Sequence, residues 1–313
     1  MRRMAFLFAF VCFAVSALVN GQSPAQPKHN IKTVFIILME NHNWTGASGG
    51  ANIFGNKNAP YINKTLLPVS SYATQYFNPP SIHPSLPNYL WLEAGTNFGI
   101  LDDNPPADHP LNTTEHLVTL LNNAKISWKA YQESISGSDC PLSSSGEYAV
   151  KHDPFVYFDD VNNNQATSAY CILHVRPYTE LATDLANGTV AQYNFITPNL
   201  CDDMHDKCKP LNNQIAQGDA WLKNNVPAIL SSVAFTSGGA LFITWDEAGT
   251  GDGPVGMILL SPFAKGNGYN NSIHYDHSST LKTFEEIFSV TPTLGAAADS
   301  STNDLRDLFA VYP

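Results

Sequence analysis

Basic residues are scarce in this sequence. Its 313 residues include 16 Lys and Arg against 27 Asp and Glu, which gives a formal net charge of −11 at pH 7. A surface with this excess of negative charge repels phosphate backbones, so the composition argues against a nucleic-acid-binding protein with a broad basic face. Any anionic substrate must therefore be bound by a local group of side chains.

Long hydrophobic runs are also nearly absent. The one candidate, Met4–Val19, follows Arg2 and Arg3 and is shorter than the roughly 20 apolar residues that a membrane span needs. A charged start, an apolar centre and small residues around Gly21 are typical of a cleaved signal peptide, and a membrane anchor is the alternative. We expect residues 1–21 to be the signal peptide and residues 22–313 a single domain, secreted or periplasmic, without stable membrane insertion.

The spacing Cys-x-x-Cys does not occur, which argues against a structural zinc site. Cys12 belongs to the expected leader, and the four remaining cysteines are an even number that suits two disulfides in an oxidising compartment. Because Cys201 and Cys208 are close in sequence, we expect them to pair, which leaves Cys140 to pair with Cys171.

Several continuous apolar runs rich in β-branched residues predict strands buried on both faces of a parallel sheet. These runs are Ile31–Met39, Ile126–Tyr131, Tyr193–Thr197, Ala240–Trp245 and Val255–Leu260. Helical patterns lie between several of them or after the last, at 114–122, 213–232 and 279–288, and 46–58 and 100–112 read as loops. The alternation predicts an α/β fold, with a mostly parallel central sheet and helices on both faces.

Acidic and amide side chains follow three of these predicted strands directly. Glu40 and Asn41 follow the first, Asp203 comes shortly after the third, and Asp246 and Glu247 follow the fourth. Ligands bind beyond the carboxyl ends of strands in such sheets, and carboxylates gathered there repel one another unless a cation lies among them. Solvated loop carboxylates are the alternative, but three clusters favour a divalent metal such as Mg²⁺, Mn²⁺, Ca²⁺ or Zn²⁺.

A candidate nucleophile lies in the segment His83-Pro84-Ser85-Leu86-Pro87-Asn88. The prolines and the apolar residues that follow predict a helix that starts near Ser85. The N–H groups and positive dipole end of a helix start favour a phosphate and a serine oxyanion. A role for Ser85 as a simple helix cap is the alternative, and the two roles are compatible.

The sequence resembles the phosphoesterase family of bacterial phospholipases C and acid phosphatases, within the alkaline phosphatase-like superfamily. The matching segments are VFIILMENHNW, HPSLPNYLWLEAG, YAVKHDPF, FITPNLCDDMHD, ITWDEAG and YDHSSTLKTFEEIF, in that order between Val34 and Phe288. The resemblance implies an alkaline phosphatase-like fold and a metal-dependent phosphoric-ester hydrolase.

The resemblance also implies roles for individual residues. Ser85 would attack phosphorus, and Glu40, Asn41, Ser85, Asp246 and Glu247 would bind the metal. Aspartate is common in the family where the longer Glu247 stands in this sequence.

Further residues would contact the substrate or support the site. Asn88, like Asn41, would bind a phosphate oxygen, and His152 and His205 would bind phosphate or protonate the leaving group. Asp203 and His277 would serve a second metal or orient the site.

The expected reaction proceeds through a phosphoserine intermediate, which water then hydrolyses. Histidines protonated below a pKa of roughly 6.5 favour an acidic working range. We therefore expect an acid phosphatase that acts on small phosphate esters. A phospholipase C or other phosphodiesterase that uses the same catalytic residues is the first alternative. The second, from another functional class, is a non-catalytic secreted protein that binds metal or glycan. The sequence does not indicate an oligomeric state.

Overall fold

The structure is a computed structural model that describes residues 30–48 and 51–313; the expected signal peptide lies outside these ranges. The described strands are β1 (Thr33–Met39), β2 (Ser71–Ala73), β3 (Tyr76–Phe77), β4 (Trp128–Gln132), β5 (Val175–Pro177), β6 (Tyr193–Thr197), β7 (Gly239–Trp245), β8 (Met257–Leu260), β9 (Tyr269–Asn271) and β10 (Tyr275–Asp276). One 8-stranded sheet has the order β5-β4-β6-β1-β7-β8-β2-β9, and β10 pairs with β3.

The centre of the main sheet is parallel. Strands β5, β4, β6, β1 and β7 pair with parallel neighbours, and β8 runs antiparallel to both β7 and β2. All seven residues of β1 are buried because the strand lies between β6 and β7 with both of its faces covered. Met39 is in register with Trp245, so the segments that follow β1 and β7 leave the sheet side by side.

The described helices are α1 (Ser85–Ala94), α2 (Leu117–Asn123), α3 (Asp159–Asn162), α4 (Ala169–His174), α5 (Leu181–Asn187), α6 (Gln214–Ser231), α7 (Val233–Thr236) and α8 (His277–Phe288). Helices α1, α2 and α8 pack together, and α6 packs with α5 and α7. In β7, Phe242 contacts Phe284 of α8, with ring centroids 5.1 Å apart. Trp245, three positions later, points to the opposite face and donates its indole N–H to Met204.

Met204 lies close to the backbone of Gly218 in α6. The two helix groups therefore cover opposite faces, which confirms the predicted α/β fold. The predicted strands and helices are present with ends shifted by a few residues, and α6 continues through Pro227. Both expected disulfides, Cys140–Cys171 and Cys201–Cys208, are also present.

None of the helices in the described ranges combines the length and the apolar character that crossing a bilayer requires.

Candidate active site

Three carboxylates meet at the carboxyl ends of the central strands. Glu40 follows β1, Asp246 follows β7, and Asp203 lies in the segment after β6; all three are fully buried. The main-chain N–H of Glu40 donates to the carbonyl of Asp203 at 2.7 Å, and that of Asp246 donates to the carbonyl of Met39 at 2.9 Å. These bonds hold the three chain segments side by side, so acidic groups far apart in sequence share one site.

Ser85 lies directly beside Glu40. Its hydroxyl donates to Glu40 Oε2 at 3.1 Å, and the hydroxyl of Tyr89, one helical turn later, donates to Glu40 Oε1 at 2.6 Å. Ser85 is the first residue of α1, while Pro84 occupies the cap position and no side chain caps the helix. The hydroxyl of Ser85 is therefore directed into the site and does not cap α1.

Asn41 connects Glu40 to Asp246. Its backbone has a φ of 50°, a left-handed conformation that asparagine tolerates better than most residues. Its main-chain N–H donates to Asp246 Oδ1 at 3.0 Å, and its side-chain amide donates to Glu40 Oε2 at 3.2 Å. Asp246 Oδ2 is buried, and it has no hydrogen-bond partner among residues 30–48 and 51–313.

Two histidines complete the inner part of the site. His152 is buried with its ring stacked on Tyr89, and its nitrogens lie 3.2 Å from Glu40 Oε1 and 3.3 Å from Asp203 Oδ2. His205 directs Nδ1 to Asp206 Oδ1 at 2.8 Å, and its main-chain N–H donates to Asp203 Oδ1 at 2.7 Å. Asp203 thus contacts the ring of His152 and the main chain of His205, while Asp206 meets the ring of His205.

The electrostatics of this cluster favour a bound cation. Burial raises the pKa of Glu40, and the charges of Asp246 and Asp203 raise it further. Burial and the neighbouring Glu247 raise the pKa of Asp246 to about 7. Ionised carboxylates in these positions are costly because they are buried and repel one another, and a divalent cation would relieve both costs.

The geometry also suits a metal ion. One donor atom from each of Glu40, His152 and His205 lies within 4.8 Å of the other two. Glu40 Oε1 and His152 Nε2 are 3.2 Å apart, and two donors that each bind one ion at roughly 2.0–2.2 Å can have this separation. Asp246 Oδ2 is buried without a hydrogen bond to any of the described residues, and the charge of Asp246 acts on Glu40. The residues present therefore fit a divalent metal.

Glu247 points away from Glu40. Its Oε2 lies 2.5 Å from His83 Nδ1 and accepts from the side-chain amide of Asn88 at 3.2 Å. That amide also donates to the main-chain carbonyls of Ile82 and Pro84, both at 3.0 Å. The side-chain amide of Asn88, which we expected to bind a phosphate oxygen, is therefore hydrogen-bonded to protein groups in this structure. His83 was not predicted to belong to the site. Its Nδ1 meets Glu247, and its Nε2 lies 3.0 Å from Asp252 Oδ1.

His277 lies behind the site. Its Nε2 is 2.5 Å from the main-chain oxygen of Asp246, and its Nδ1 is 3.0 Å from the hydroxyl of Tyr76. Burial lowers the pKa of His277 to about 4. Both ring nitrogens have protein partners, so the geometry favours support of Asp246 over binding of a second metal.

A lysine and an aspartate at the edge of the site were not predicted. Lys151 Nζ lies 2.9 Å from Asp103 Oδ2 and 3.5 Å from His205 Nε2. Burial lowers the pKa of Lys151, but the hydrogen bond to Asp103 and the charge of Glu40 outweigh this and raise it. Lys151 directly precedes His152 in the sequence, which was a usable signal, whereas nothing in the sequence around Asp103 indicated this contact.

Comparisons with known proteins agree with this geometry. The sequence model of the phosphoesterase family matches residues 52–291, which confirms the resemblance inferred from the motifs. The chain is 30% identical over 268 residues to a phosphatidylinositol-3-phosphatase of Mycobacterium tuberculosis, covering 85% of this chain and 80% of that protein. It is 28% identical over 275 residues to a probable acid phosphatase of Kluyveromyces lactis, covering 84% of this chain but only 59% of that longer protein.

The fold also has a solved counterpart. A protein of the alkaline phosphatase superfamily from Vibrio parahaemolyticus matches with a TM-score of 0.53 and 8% identity, over 88% of this chain and 71% of that chain. At this low identity the similarity concerns the fold alone, and it confirms the expected alkaline phosphatase-like architecture.

Proposed function

Because this chain belongs to the phosphoesterase family and is a phosphoric-ester hydrolase, we propose that it is a metal-dependent acid phosphatase. In this proposal the reaction forms a phosphoserine intermediate on Ser85. The observation that carries the proposal is the 3.1 Å contact between the Ser85 hydroxyl and Glu40, at the start of a helix and beside buried carboxylates. The helix start supplies N–H groups and a positive dipole end for an anionic phosphoryl group.

In this proposal Glu40, Asn41, Ser85 and Asp246 hold one divalent cation, and the imidazoles of His152 and His205 lie beside it. When bound, the cation supplies positive charge that favours the ionised serine oxygen and offsets the charge of the phosphoryl oxygens. Glu247 is left out of this set because its Oε2 contacts His83 and Asn88. The hydrogen bonds of Ser85 and Asn41 to Glu40, and of Asn41 to Asp246, bring these four residues together and support this arrangement.

The protein's own groups then carry the two displacements. Ser85 Oγ transfers its proton to Glu40 Oε2, its hydrogen-bond acceptor, and forms a bond to phosphorus as the bond to the leaving alcohol breaks. His205, placed by Asp203 and Asp206, donates a proton to the leaving oxygen. In the second displacement His205 accepts a proton from water, which attacks phosphorus and forms inorganic phosphate. The bond between phosphorus and Ser85 Oγ breaks, and Glu40 Oε2 returns its proton to Ser85 Oγ.

We propose a phosphate monoester as the substrate, with a diester such as a phospholipid as the alternative. The name of the mycobacterial relative, a phosphatidylinositol-3-phosphatase, and that of the yeast relative, a probable acid phosphatase, both support phosphatase chemistry. The test compares turnover of p-nitrophenyl phosphate, bis-p-nitrophenyl phosphate and phosphatidylcholine by the parent protein. A clear preference for either diester would reject the monoester assignment.

The nucleophile has a separate test in the Ser85→Ala variant. We expect this variant to lose turnover of every ester while keeping the thermal stability of the parent. Ser231→Ala, in an exposed part of α6, is the matched control and keeps full activity. If Ser85→Ala hydrolysed esters as the parent does, Ser85 would not be the nucleophile.

We also propose that residues 1–21 direct export and that residues 22–313 form the mature single domain. The two disulfides support an oxidising destination outside the cytoplasm. N-terminal sequencing of the exported protein tests this, and a mature chain that begins at Met1 would reject the leader assignment.

A further inference from the structure

One carboxylate links the start of the nucleophile helix to a lysine at the edge of the site. Asp103 Oδ1 accepts from the main-chain N–H of Leu86 at 3.0 Å, and Asp103 Oδ2 lies 2.9 Å from Lys151 Nζ. Leu86 directly follows Ser85 in α1. The contact therefore fixes the position of the ammonium group relative to the nucleophile.

The segments that carry this pair are themselves anchored. The hydroxyl of Tyr157 donates to the main-chain oxygen of Asn104 at 3.0 Å, and the main-chain N–H of Leu111 donates to the oxygen of Tyr157 at 2.9 Å. These bonds tie the segment containing Asp103 to the turn that follows His152. Asp103 and Lys151 are thus held by the same part of the fold, and their separation does not depend on a free loop.

Lys151 is also within reach of a substrate. Its Nζ lies 3.5 Å from His205 Nε2, the charges of Glu40 and Asp246 act on it, and its side chain is 20% exposed. An ammonium group has three hydrogen-bond donors, and its contacts with Asp103 and His205 engage two of them, which leaves a third for a ligand. The lysine can therefore meet a phosphoryl oxygen while keeping its contact with Asp103.

The charge of the ester determines how strongly the Lys151 ammonium group binds it. A phosphate monoester has three non-bridging oxygens and carries up to two negative charges, whereas a diester has two such oxygens and one charge. A localised ammonium beside the phosphoryl group interacts more strongly with the more highly charged ester. A lysine in this position therefore discriminates between the two classes.

We propose that Lys151, positioned by Asp103, binds the non-bridging phosphoryl oxygen that only a monoester presents and thereby sets the preference of this enzyme for monoesters. The proposal rests on the phosphatase function proposed above. Lys151 is the binding residue, and Asp103 is a positioning residue that acts through it.

The test uses two substrates with the same leaving group, p-nitrophenyl phosphate and methyl p-nitrophenyl phosphate. We expect Lys151→Met to lower kcat/KM for the monoester by about 30-fold or more, and for the diester by less than about threefold. Lys151→Arg keeps the charge and should restore most of the selectivity. Lys129→Met, which breaks the pair between Lys129 on β4 and Asp184 on α5, is the matched control and should leave turnover of both substrates unchanged.

Asp103→Asn tests the positioning role. We expect it to raise KM for the monoester with a smaller change in kcat, and to raise the inhibition constant of inorganic phosphate in parallel. If Lys151→Met does not fold, as judged by its thermal transition, Lys151→Gln keeps a donor toward Asp103 while removing the charge, and it should show the same selective loss.

Each outcome separates the two hypotheses. If the parent hydrolyses the monoester but a folded Lys151 variant loses both substrates equally, or neither, the selectivity proposal is overturned and the phosphatase function stands. If the parent hydrolyses neither ester with its metal bound, the phosphatase function itself fails.

Discussion

A buried carboxyl group outside the reaction centre should make this protein lose stability as the pH rises. Glu93, near the end of α1, is fully buried. Its Oε1 accepts from the hydroxyl of Tyr193 at 2.6 Å, and its Oε2 has no hydrogen-bond partner in the part of the chain that the structure describes. Burial is the dominant cause and raises the pKa of Glu93 from 4.5 to about 8.

The raised pKa of Glu93 determines how the stability of the protein changes with pH. Because the folded protein binds the proton more tightly than the unfolded chain, Glu93 contributes stability that is fully present below pH 4.5 and is lost as the pH rises through about 8. At about 1.4 kcal/mol per pKa unit, the full effect is on the order of 5 kcal/mol. The fold therefore suits acidic and neutral conditions better than alkaline ones.

Urea unfolding at pH 5 and pH 9 measures this effect. We expect the free energy of unfolding of the parent to fall by several kcal/mol more between these pH values than that of Glu93→Gln, which cannot ionise. Glu115→Gln, at an exposed position, is the control and should follow the parent. If the parent and Glu93→Gln showed the same pH dependence, the assigned ionisation of Glu93 would be refuted.

Three further predictions concern the site. Tyr89→Phe removes the donor to Glu40 Oε1 and should lower the free energy of unfolding by about 1.5–3 kcal/mol, measured in urea; an unchanged value would count against this contact. Replacing Cys201 and Cys208 by serine should cost about 2 kcal/mol and also lower kcat/KM, because this disulfide closes the segment that carries His205; loss of the other disulfide should affect stability alone. Chelation should abolish turnover, and added metal should restore it, with elemental analysis giving the stoichiometry; full activity in a metal-free sample would reject metal dependence.

The central strands could be predicted because burial on both faces produces a pattern that the local sequence shows. β1, β6 and β7 are covered on both faces, so each appears as a continuous apolar run. The short strands β2 and β9 could not be predicted in this way. They are only three residues long and depend on pairing with each other across a long sequence separation.

The inner residues of the site could be predicted from their positions after those strands. Glu40 and Asp246 come at the ends of β1 and β7, and the register of the sheet brings them together. Contacts between loops were not predictable, because nothing local in the sequence shows that Asp103 meets Lys151 or that Glu247 turns toward His83. Such contacts depend on how the loops pack after the sheet has formed.

The stereochemical course at phosphorus tests the account most directly. The measurement follows hydrolysis of an isotopically chiral phosphorothioate monoester in heavy-oxygen water by the metal-loaded parent protein. Two successive displacements, first by Ser85 and then by water, predict net retention of configuration. Net inversion would show a single direct attack by water, and would contradict the proposal that Ser85 carries the phosphoryl group.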